Sequence, residues 1–313
     1  MHSTRPAGLG RRLLREPQFV VGSLLVAVFV VAAFAAPWLS PLDPSTQFPE
    51  GLTSLGQPMP PGTPLADAAA GQTFRLGTDT LGRDLFTRLL YGARFSLVIG
   101  LLAMLTAVGV GALVGLLSGF YRGWLEFALM RLTDVMMTVP TLILAIALVA
   151  VMPRGSIFFE FAGAERELPR ELLNLFVVIG LVSWTGVARV VRSETLRVSA
   201  LEFVPAARAL GCSPHRVLVR HVLPNVLPTI VVLASLGAAG AIVMDAGLSY
   251  LGLGVRPPHP TWGKMIADGQ AYMTTAPWLV LAPGLSVVAV VLGFNLLGQG
   301  LQEALDPHQG PRA

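Results

Sequence analysis

The chain has 313 residues, of which 53% are hydrophobic and 13% are charged, whereas a soluble globular domain carries about 25% charged residues. This composition, with a net charge of +4, indicates a membrane protein and argues against a nucleic-acid-binding protein. The one cysteine, Cys212, excludes a disulfide framework within the chain and a multi-cysteine metal site supplied by this chain alone.

Six charge-free runs meet or approach the length of a membrane span, since a transmembrane helix needs about 20 apolar residues. The last run contains Pro277 and Pro283, so we take its span to begin at Pro277 and to end near Gly298. The sequence therefore predicts an all-α membrane protein with six transmembrane helices. The runs are residues 17–42, 95–121, 135–153, 172–188, 222–244 and 269–302.

The first run has two interpretations, a retained span or a cleaved signal peptide. Arg11, Arg12 and Arg15 precede it, and Ala33-Phe34-Ala35 resembles a signal-peptidase site. Its apolar part, residues 19–39, is longer than the roughly 7–15 residues of a signal-peptide hydrophobic region, which favours a retained span. With the N-terminus in the cytoplasm, the cytoplasmic segments hold 13 basic residues and the external segments hold 9, in agreement with the positive-inside rule.

The longest loop follows the first span and has two parts. Residues 43–72 are rich in Pro, Gly, Ser and Thr, which predicts an irregular external segment, with a passive linker favoured over a partner contact. From Thr80 onward, apolar residues recur at helical spacing and predict an amphipathic helix on the membrane surface. Asp79 or Thr80 is suited to cap this helix, and Gly92 is suited to end it.

Small residues recur within two of the predicted spans. Gly111, Gly115 and Gly119 are spaced four residues apart, a pattern that lets two helix backbones approach closely. The fifth span has a similar group. Both patterns predict helix packing rather than a lined pathway. The group in the fifth span is Ala234, Gly237, Ala238 and Ala241.

The chain lacks the residues for several kinds of chemistry. Its single lysine, Lys264, is followed by Met265, so it cannot belong to the phosphate-binding loop of an ATPase, which requires Gly-Lys-Ser or Gly-Lys-Thr. All five histidines lie outside the predicted spans, which removes membrane-embedded haem ligands and a base for the serines within spans. We therefore predict that the chain is not an enzyme. An ATP-independent transporter and a membrane-embedded hydrolase stay open as alternative classes.

The loop between the fourth and fifth spans is the most basic internal segment, and its pattern predicts two short helices. Pro205 is suited to the first turn of one helix, and Gly211 is suited to its end. Ser213 and Pro214 are suited to the N-cap and first position of the next helix, which runs toward His221. The positive-inside rule alone also explains a basic loop at this place.

The spacing in this loop resembles the EAA loop of ABC-importer permeases, whose pattern is E-A-A-x3-G-x9-I-x-L-P. Pro205 stands in place of the acidic residue and His221 in place of the isoleucine. Further motifs resemble the C-type permeases of dipeptide, oligopeptide and nickel importers, over about residues 74–307, although Gln299 replaces a common acidic residue. These motifs are Leu76–Asp79 with Leu81–Asp84, Tyr91–Arg94, Ala206–Gly211, His221–Asn225, Leu248–Gly254, Pro260–Gly263, Ala276–Trp278, Phe294–Gly298 and Leu305–Pro307.

The resemblance implies a type I ABC-importer permease in a bacterial or archaeal inner membrane, with its N-terminus in the cytoplasm. It implies a heterodimer with a second homologous permease in the lipid bilayer, two ATP-binding cassette subunits on the cytoplasmic side, and an extracytoplasmic binding protein. No nucleic acid is an implied partner. ATP and Mg would be bound by the partner ATPase subunits, with no cofactor in this chain. The implied cargo is a dipeptide or oligopeptide, with nickel or another non-peptide solute as the alternative.

The resemblance also implies that the helix from Pro205 to Leu210 inserts into a cleft of an ATPase subunit. Its two alanines would give close contact, and Gly211 would permit the turn. No catalytic residue and no metal site are expected. The expected coupling residues are Pro205, Ala206, Ala207, Arg208, Gly211, His221, Leu223 and Pro224.

Candidate residues of the substrate pathway are polar or adaptable groups on helices that could lie inside the bundle. They are Met136, Met244, Asp245 and Asn295. The predicted domains are an N-terminal tail, span and external loop (1–72), a permease core (73–307) with its coupling loop (192–224), and a C-terminal tail (308–313).

Overall fold

The computed structural model describes residues 9–65, 73–161 and 164–305, and this part of the chain is mainly helical. The helices are α1 (Leu9–Leu13), α2 (Pro17–Phe34), α3 (Ala36–Leu39), α4 (Leu85–Phe120), α5 (Trp124–Thr138), α6 (Thr141–Val151), α7 (Arg170–Ser199), α8 (Phe203–Ala209), α9 (Pro214–Val217), α10 (Leu223–Tyr250), α11 (Trp262–Gly269) and α12 (Trp278–Leu305). Two antiparallel hairpins pair β1 (Thr63–Pro64) with β2 (Thr73–Phe74), and β3 (Ser156–Phe161) with β4 (Ala164–Pro169).

Five helical segments of the described chain are long and apolar enough to cross a membrane, namely α2, α4, α7, Pro214–Tyr250 and α12. The third predicted span, residues 135–153, is instead the pair α5 and α6, bent by 89°. Pro140 explains this break, because proline lacks an N–H and favours an extended conformation at the preceding Val139. The six-span prediction holds when the bent pair counts as one span, but the expectation of a single helix there was wrong.

The predicted surface helix and the second predicted span form one continuous helix, α4. Asp84 is its N-cap and accepts a hydrogen bond from the Thr87 N–H, so neither Asp79 nor Thr80 caps it. Gly92 lies within the helix and faces Trp262. The prediction of a separate helix ending at Gly92 was wrong, because neither a proline nor a left-handed residue interrupts the helix there.

Helices α4 and α7 cross at very short range through the glycines of α4. A Cβ atom on Gly111 would lie 2.6 Å from the carbonyl oxygen of Trp184, and one on Gly115 would lie 2.7 Å from that of Ala188. Gly119 faces α7 in the same way. The backbone of α7 therefore occupies the space that side chains would need, which confirms the predicted packing role of these glycines.

We expect Gly115→Ala to lower the free energy of unfolding by about 1–3 kcal/mol, as overpacking typically does. The added methyl group would meet the α7 backbone, which cannot yield without separating the helices. Gly109→Ala is the matched control, since Gly109 lies on the same helix with nothing within 4 Å of the added atom. Alanine has the higher helix propensity, so the control should be neutral or stabilising. Thermal unfolding in detergent measures both variants, and equal destabilisation would contradict the close crossing.

Helix α2 packs along α12 on one side only. Gly22 lies against the backbone of Leu297, and Gly300 lies against Phe19. Only 11% of the residues of α2 are buried, which leaves most of its surface for lipid. The first predicted run is helical as α2 only as far as Phe34, where Arg94 Nε donates to the Ala33 carbonyl at 2.6 Å and satisfies a helix-terminal acceptor.

The external loop after α3 is held against the residues that precede α4. Thr78 Oγ1 donates to the Gly51 carbonyl at 2.5 Å and accepts the Met59 N–H at 2.8 Å. The N–H of Phe48 donates to the Gly82 carbonyl at 3.1 Å. The loop residues described are mostly irregular, as predicted, but they include a 3-10 turn at Pro49–Gly51 and the short strand β1, and several long-range hydrogen bonds fix their position.

Candidate functional site

The predicted coupling helix is present as α8 and ends in a tight turn. Gly211 has a φ of +84°, a left-handed conformation that glycine adopts at low cost. Its N–H donates to the Arg208 carbonyl at 3.0 Å, and the N–H of Cys212 donates to the Ala207 carbonyl at 3.2 Å. These two bonds form a Schellman motif, which satisfies carbonyls left free at the end of α8.

The helix after this turn begins where the sequence predicts. Ser213 is the N-cap, and its Oγ accepts the Arg216 N–H at 3.4 Å, while Pro214 occupies the first position.

A π-helical turn, Leu218–Val222, joins α9 to α10, so the helix continues from Pro214 to Tyr250. Pro224 favours the wider turn, because it has no N–H to pair with the carbonyl four residues earlier. The coupling loop is thus directly continuous with a membrane-spanning helix.

The two alanines of the motif face different surroundings. Ala207 is 7% exposed and belongs to the main core together with Val217. Ala206 is exposed, so it is the alanine available to a partner. Arg208 is also exposed, and its guanidinium carbon lies 4.9 Å from the centre of the Phe120 ring. Ala207 therefore packs within its own chain and Ala206 is the more open of the two, while contact of both alanines with a partner stays a prediction.

The other predicted coupling residues differ in exposure. Pro205 and Pro224 are exposed, whereas His221 and Leu223 are half-buried. The His221 carbonyl accepts a hydrogen bond from the side-chain amide of Asn225 at 2.7 Å. Only part of the motif is therefore open to a partner, and the rest fixes the start of α10.

Two ion pairs connect α7, which leads into the coupling loop, with α5. Arg189 Nη2 lies 2.7 Å from Asp134 Oδ1, and Arg192 contacts Glu126. The Arg189 and Asp134 side chains are 51% and 44% exposed, and exposed pairs of this kind are typically worth about 0–1 kcal/mol. Such a pair can separate without unfolding either helix.

A groove of about 530 Å³ opens between α7, α10 and α12 beside the coupling loop. Its wall is mainly apolar, and it includes Glu194, Arg197, Asn225 and Gln302. Arg197 donates to both carboxylate oxygens of Glu194, at 2.9 and 2.6 Å. The groove therefore combines apolar surface with polar groups at the end of the bundle that carries α8.

The four predicted pathway residues do not form one cluster. Met136, Met244 and Asn295 are half-buried and lie on α5, α10 and α12. Asp245 is 1% exposed, and its Oδ1 accepts a hydrogen bond from Ser249 Oγ at 3.4 Å. Among the described residues, no hydrogen bond joins any two of the four. Asp245 faces the protein interior in this chain, and the pathway role of all four stays a prediction.

A buried charge cluster lies near the start of α4 and was not predicted from the sequence. Asp79 Oδ2 lies 2.7 Å from Arg83 Nε and 3.1 Å from Arg88 Nε, and all three residues are at most 7% exposed. Arg88 also donates to the Pro44 carbonyl at 2.8 Å. Burial raises the pKa of the adjacent Asp84 carboxyl, against hydrogen bonds from its own helix that lower it. The charges within the Leu76–Asp84 motif were the available signal, but charge alone did not reveal burial.

Two family profiles match the chain. Residues 111–310 match the binding-protein-dependent transport system inner membrane component. Residues 9–61 match the N-terminal TM domain of oligopeptide transport permease C. The second match includes most of the external loop that precedes the resemblance found in the sequence.

Similar proteins cover nearly the whole chain. The dipeptide transport system permease protein DppC of Alkalihalophilus pseudofirmus is 37% identical over 297 residues, which cover 95% of this chain and 88% of that protein. The di/tripeptide transport system permease protein DppC of Pseudomonas aeruginosa is 39% identical, covering 91% and 86%. The glutathione transport system permease protein GsiD of Pectobacterium atrosepticum is 36% identical, covering 95% and 89%.

A solved structure shares the fold. It is an inward-facing conformation of the MetNI methionine ABC transporter, with a TM-score of 0.54 and 16% identity over 70% of this chain and 97% of that chain. The membrane core therefore has the fold of an ABC-importer permease, as the sequence predicted.

Proposed function

The chain belongs to the family of binding-protein-dependent transport system inner membrane components, and on that premise we propose that it imports short peptides as the C-type permease of an ATP-driven importer. Members of this family are multi-pass inner-membrane permease subunits and are not themselves enzymes. The observation that carries the proposal is α8, a short helix with an exposed Ala206 that leads through the Gly211 turn into a membrane-spanning helix.

The proposed partners follow from what this chain lacks. It has no phosphate-binding loop, so ATP with Mg would be bound by two ATP-binding cassette subunits that dock at α8. A second homologous permease would complete the path, and an extracytoplasmic binding protein would deliver the cargo. Closure of the ATPase subunits on ATP would bias the permease pair between two states, inward-facing and outward-facing.

The proposed orientation places the N-terminus in the cytoplasm. When the bent pair counts as one span, an even number of crossings separates α1 from α8, so both lie on one side. Arg11, Arg12 and Arg15 precede or begin the first crossing, and basic residues are typical of cytoplasmic segments. Docking of α8 on cytoplasmic ATPase subunits requires the same orientation.

The proposed cargo class is a dipeptide or short oligopeptide. Three relatives that are 36–39% identical are named as dipeptide, di/tripeptide and glutathione permeases, and glutathione is itself a small peptide. The mixed apolar and polar groove beside α8 suits such a solute. Nickel or another non-peptide cargo is the alternative outcome of an uptake assay.

Copurification and uptake test this proposal together. A tagged chain, expressed with its neighbouring transport genes, should copurify with a second permease and two ATPase subunits, and vesicles containing the complex should take up labelled dialanine only with ATP. Uptake by the purified chain alone would instead indicate an ATP-independent transporter. Uptake of nickel but not of dialanine would overturn the peptide assignment.

Ala206→Trp is expected to reduce ATP-dependent uptake by about fivefold or more, because an interface contact of this kind is worth about 1 kcal/mol or more. Ala206 is exposed, so the indole should not disturb folding of the chain. Ala200→Trp is the control, since Ala200 is exposed but precedes α8. Membrane levels should be normal for both variants, and normal uptake by Ala206→Trp would contradict docking through this face.

A further inference from the structure

The break between α5 and α6 places irregular backbone within the membrane-spanning part of the bundle. On one side of the break, Ala145 of α6 shares a core cluster with Ile179 of α7. On the other side, Asp134 of α5 pairs with Arg189 of α7. The break therefore lies opposite the middle of α7. This part of α7, residues 172–188, contains no charged residue.

The break also leaves backbone polar groups without partners. Helix α6 begins at Thr141 after Pro140, whose side chain cannot cap the first N–H groups of the helix. Helix α5 ends at Thr138, whose hydroxyl donates to the Val135 carbonyl at 2.7 Å. The Pro140 carbonyl accepts the Leu144 N–H at 3.1 Å, whereas the carbonyls of Thr138 and Val139 lack a capping group. Within the described ranges, no hydrogen bond from another helix or loop reaches these groups.

The residues around the break face away from the rest of the chain. Val139, Leu142 and Ile143 are 39%, 43% and 60% exposed, and Thr138 and Thr141 are exposed too. Hydrocarbon cannot satisfy free N–H and C=O groups. Non-helical backbone at membrane depth therefore occurs only where protein covers it or where it lines a water-filled cavity.

We propose that the elbow, defined as residues 138–143, lines the aqueous translocation path and contacts the passing peptide; this inference rests on the proposed function. Its free backbone groups and the hydroxyls of Thr138 and Thr141 can hydrogen-bond the amide groups that every peptide carries. Leu142 and Ile143 add apolar contacts that tolerate many side chains. A wall of this chemistry recognises the peptide backbone rather than a particular side chain, which fits a short-peptide cargo of varied sequence.

Cysteine accessibility in the assembled importer tests this proposal. The parent chain has a single cysteine, Cys212, so the reactivity of an introduced cysteine is measured as the excess over the parent. Thr141→Cys and Ile143→Cys report on the elbow. Val28→Cys is the matched control, because Val28 is 55% exposed at the middle of α2, a helix that is mostly open to lipid. The probe is a charged, membrane-impermeant thiol reagent applied to permeabilised membranes.

Both elbow cysteines should react at least about tenfold faster than Val28→Cys, since the reactive thiolate requires water, and their modification should block dialanine uptake. Rates equal to that of Val28→Cys would overturn the proposal. A cysteine that resists the reagent but crosslinks to the second permease would overturn it too, by placing protein over the elbow. If the subunits copurify while the elbow stays unreactive, this inference fails and the proposed function stands; if they do not copurify, the proposed function itself fails.

Discussion

Gly211→Val is expected to reduce ATP-dependent peptide uptake by about tenfold to a hundredfold. Gly211 has a φ of +84°, and a β-branched residue in the left-handed region is strained by about 1–3 kcal/mol, which lowers the population of the native turn accordingly. Loss of the turn would also release the two hydrogen bonds that end α8. Helix α8, the proposed contact with the ATPase subunits, would then no longer be held in a fixed direction relative to α10. Uptake into vesicles, normalised to the amount of permease in the membrane, measures the effect.

Gly211→Asn separates backbone conformation from other causes. Asparagine tolerates the left-handed region far better than valine does, so this variant should keep most of the uptake. There is open space around the position of the added Cβ atom, so a steric clash does not distinguish the two substitutions. If asparagine and valine lowered uptake equally, the left-handed turn would not be the cause of the loss. Normal uptake with valine would contradict a coupling role for Gly211.

Asp79→Asn is expected to lower the free energy of unfolding by about 3–5 kcal/mol, the usual result of leaving a buried charge without its partner. Arg83 and Arg88 both direct a guanidinium Nε to the Asp79 carboxylate, and they are 5% and 2% exposed. Asparagine keeps the size of the side chain but removes the negative charge between the two cations. Thermal unfolding of the complex in detergent measures the loss.

Asp134→Asn makes the same chemical change at an exposed ion pair. Asp134 pairs with Arg189, but both side chains are about half exposed, so water replaces the lost interaction. The expected change is within about 1 kcal/mol. Similar destabilisation by the two variants would show that burial is not the reason why the Asp79 cluster stabilises the fold.

Elements with local signals could be predicted from the sequence. The Pro205 to Gly211 spacing predicted a short helix ended by glycine, and α8 with its left-handed Gly211 is present. Ser213 and Pro214 predicted a helix start, which the Ser213 cap confirms. The glycine spacing of α4 predicted a close crossing for the same reason, because a missing side chain is visible in the sequence itself.

Elements that depend on distant partners could not be predicted. An apolar run that contains Pro140 is compatible with a kinked helix or a full break, and the choice depends on how α5 and α6 each contact α7. The amphipathic start of α4 was assigned to the membrane surface, but Trp262, which is 1% exposed, covers it and donates to the Leu89 carbonyl at 3.1 Å. No periodicity within residues 80–92 identifies a partner some 170 positions later.

The candidate site also combines features that the sequence predicted with features that depend on distant partners. The motif predicted a coupling loop, which stays a prediction, but it did not reveal that Ala207 faces the core while Ala206 faces outward, since that depends on where α8 meets Val217. The charges of Asp79, Arg83 and Arg88 were visible, whereas their burial depends on the external loop folding over them through contacts such as Arg88 with Pro44.

The continuous helix from Pro214 to Tyr250 has a mechanical consequence. Its 37 residues extend about 55 Å at a rise of about 1.5 Å per residue, well beyond the hydrocarbon core of about 30 Å. It has buried residues along its length from Val217 to Ser249, and within it Leu236 packs against Gly298 and Ile242 packs against Gly100. Because the backbone is helical from one end to the other, a displacement of the Pro214 end is expected to reach the residues near Tyr250. The coupling loop and the opposite end of the bundle are thereby joined by a single piece of secondary structure.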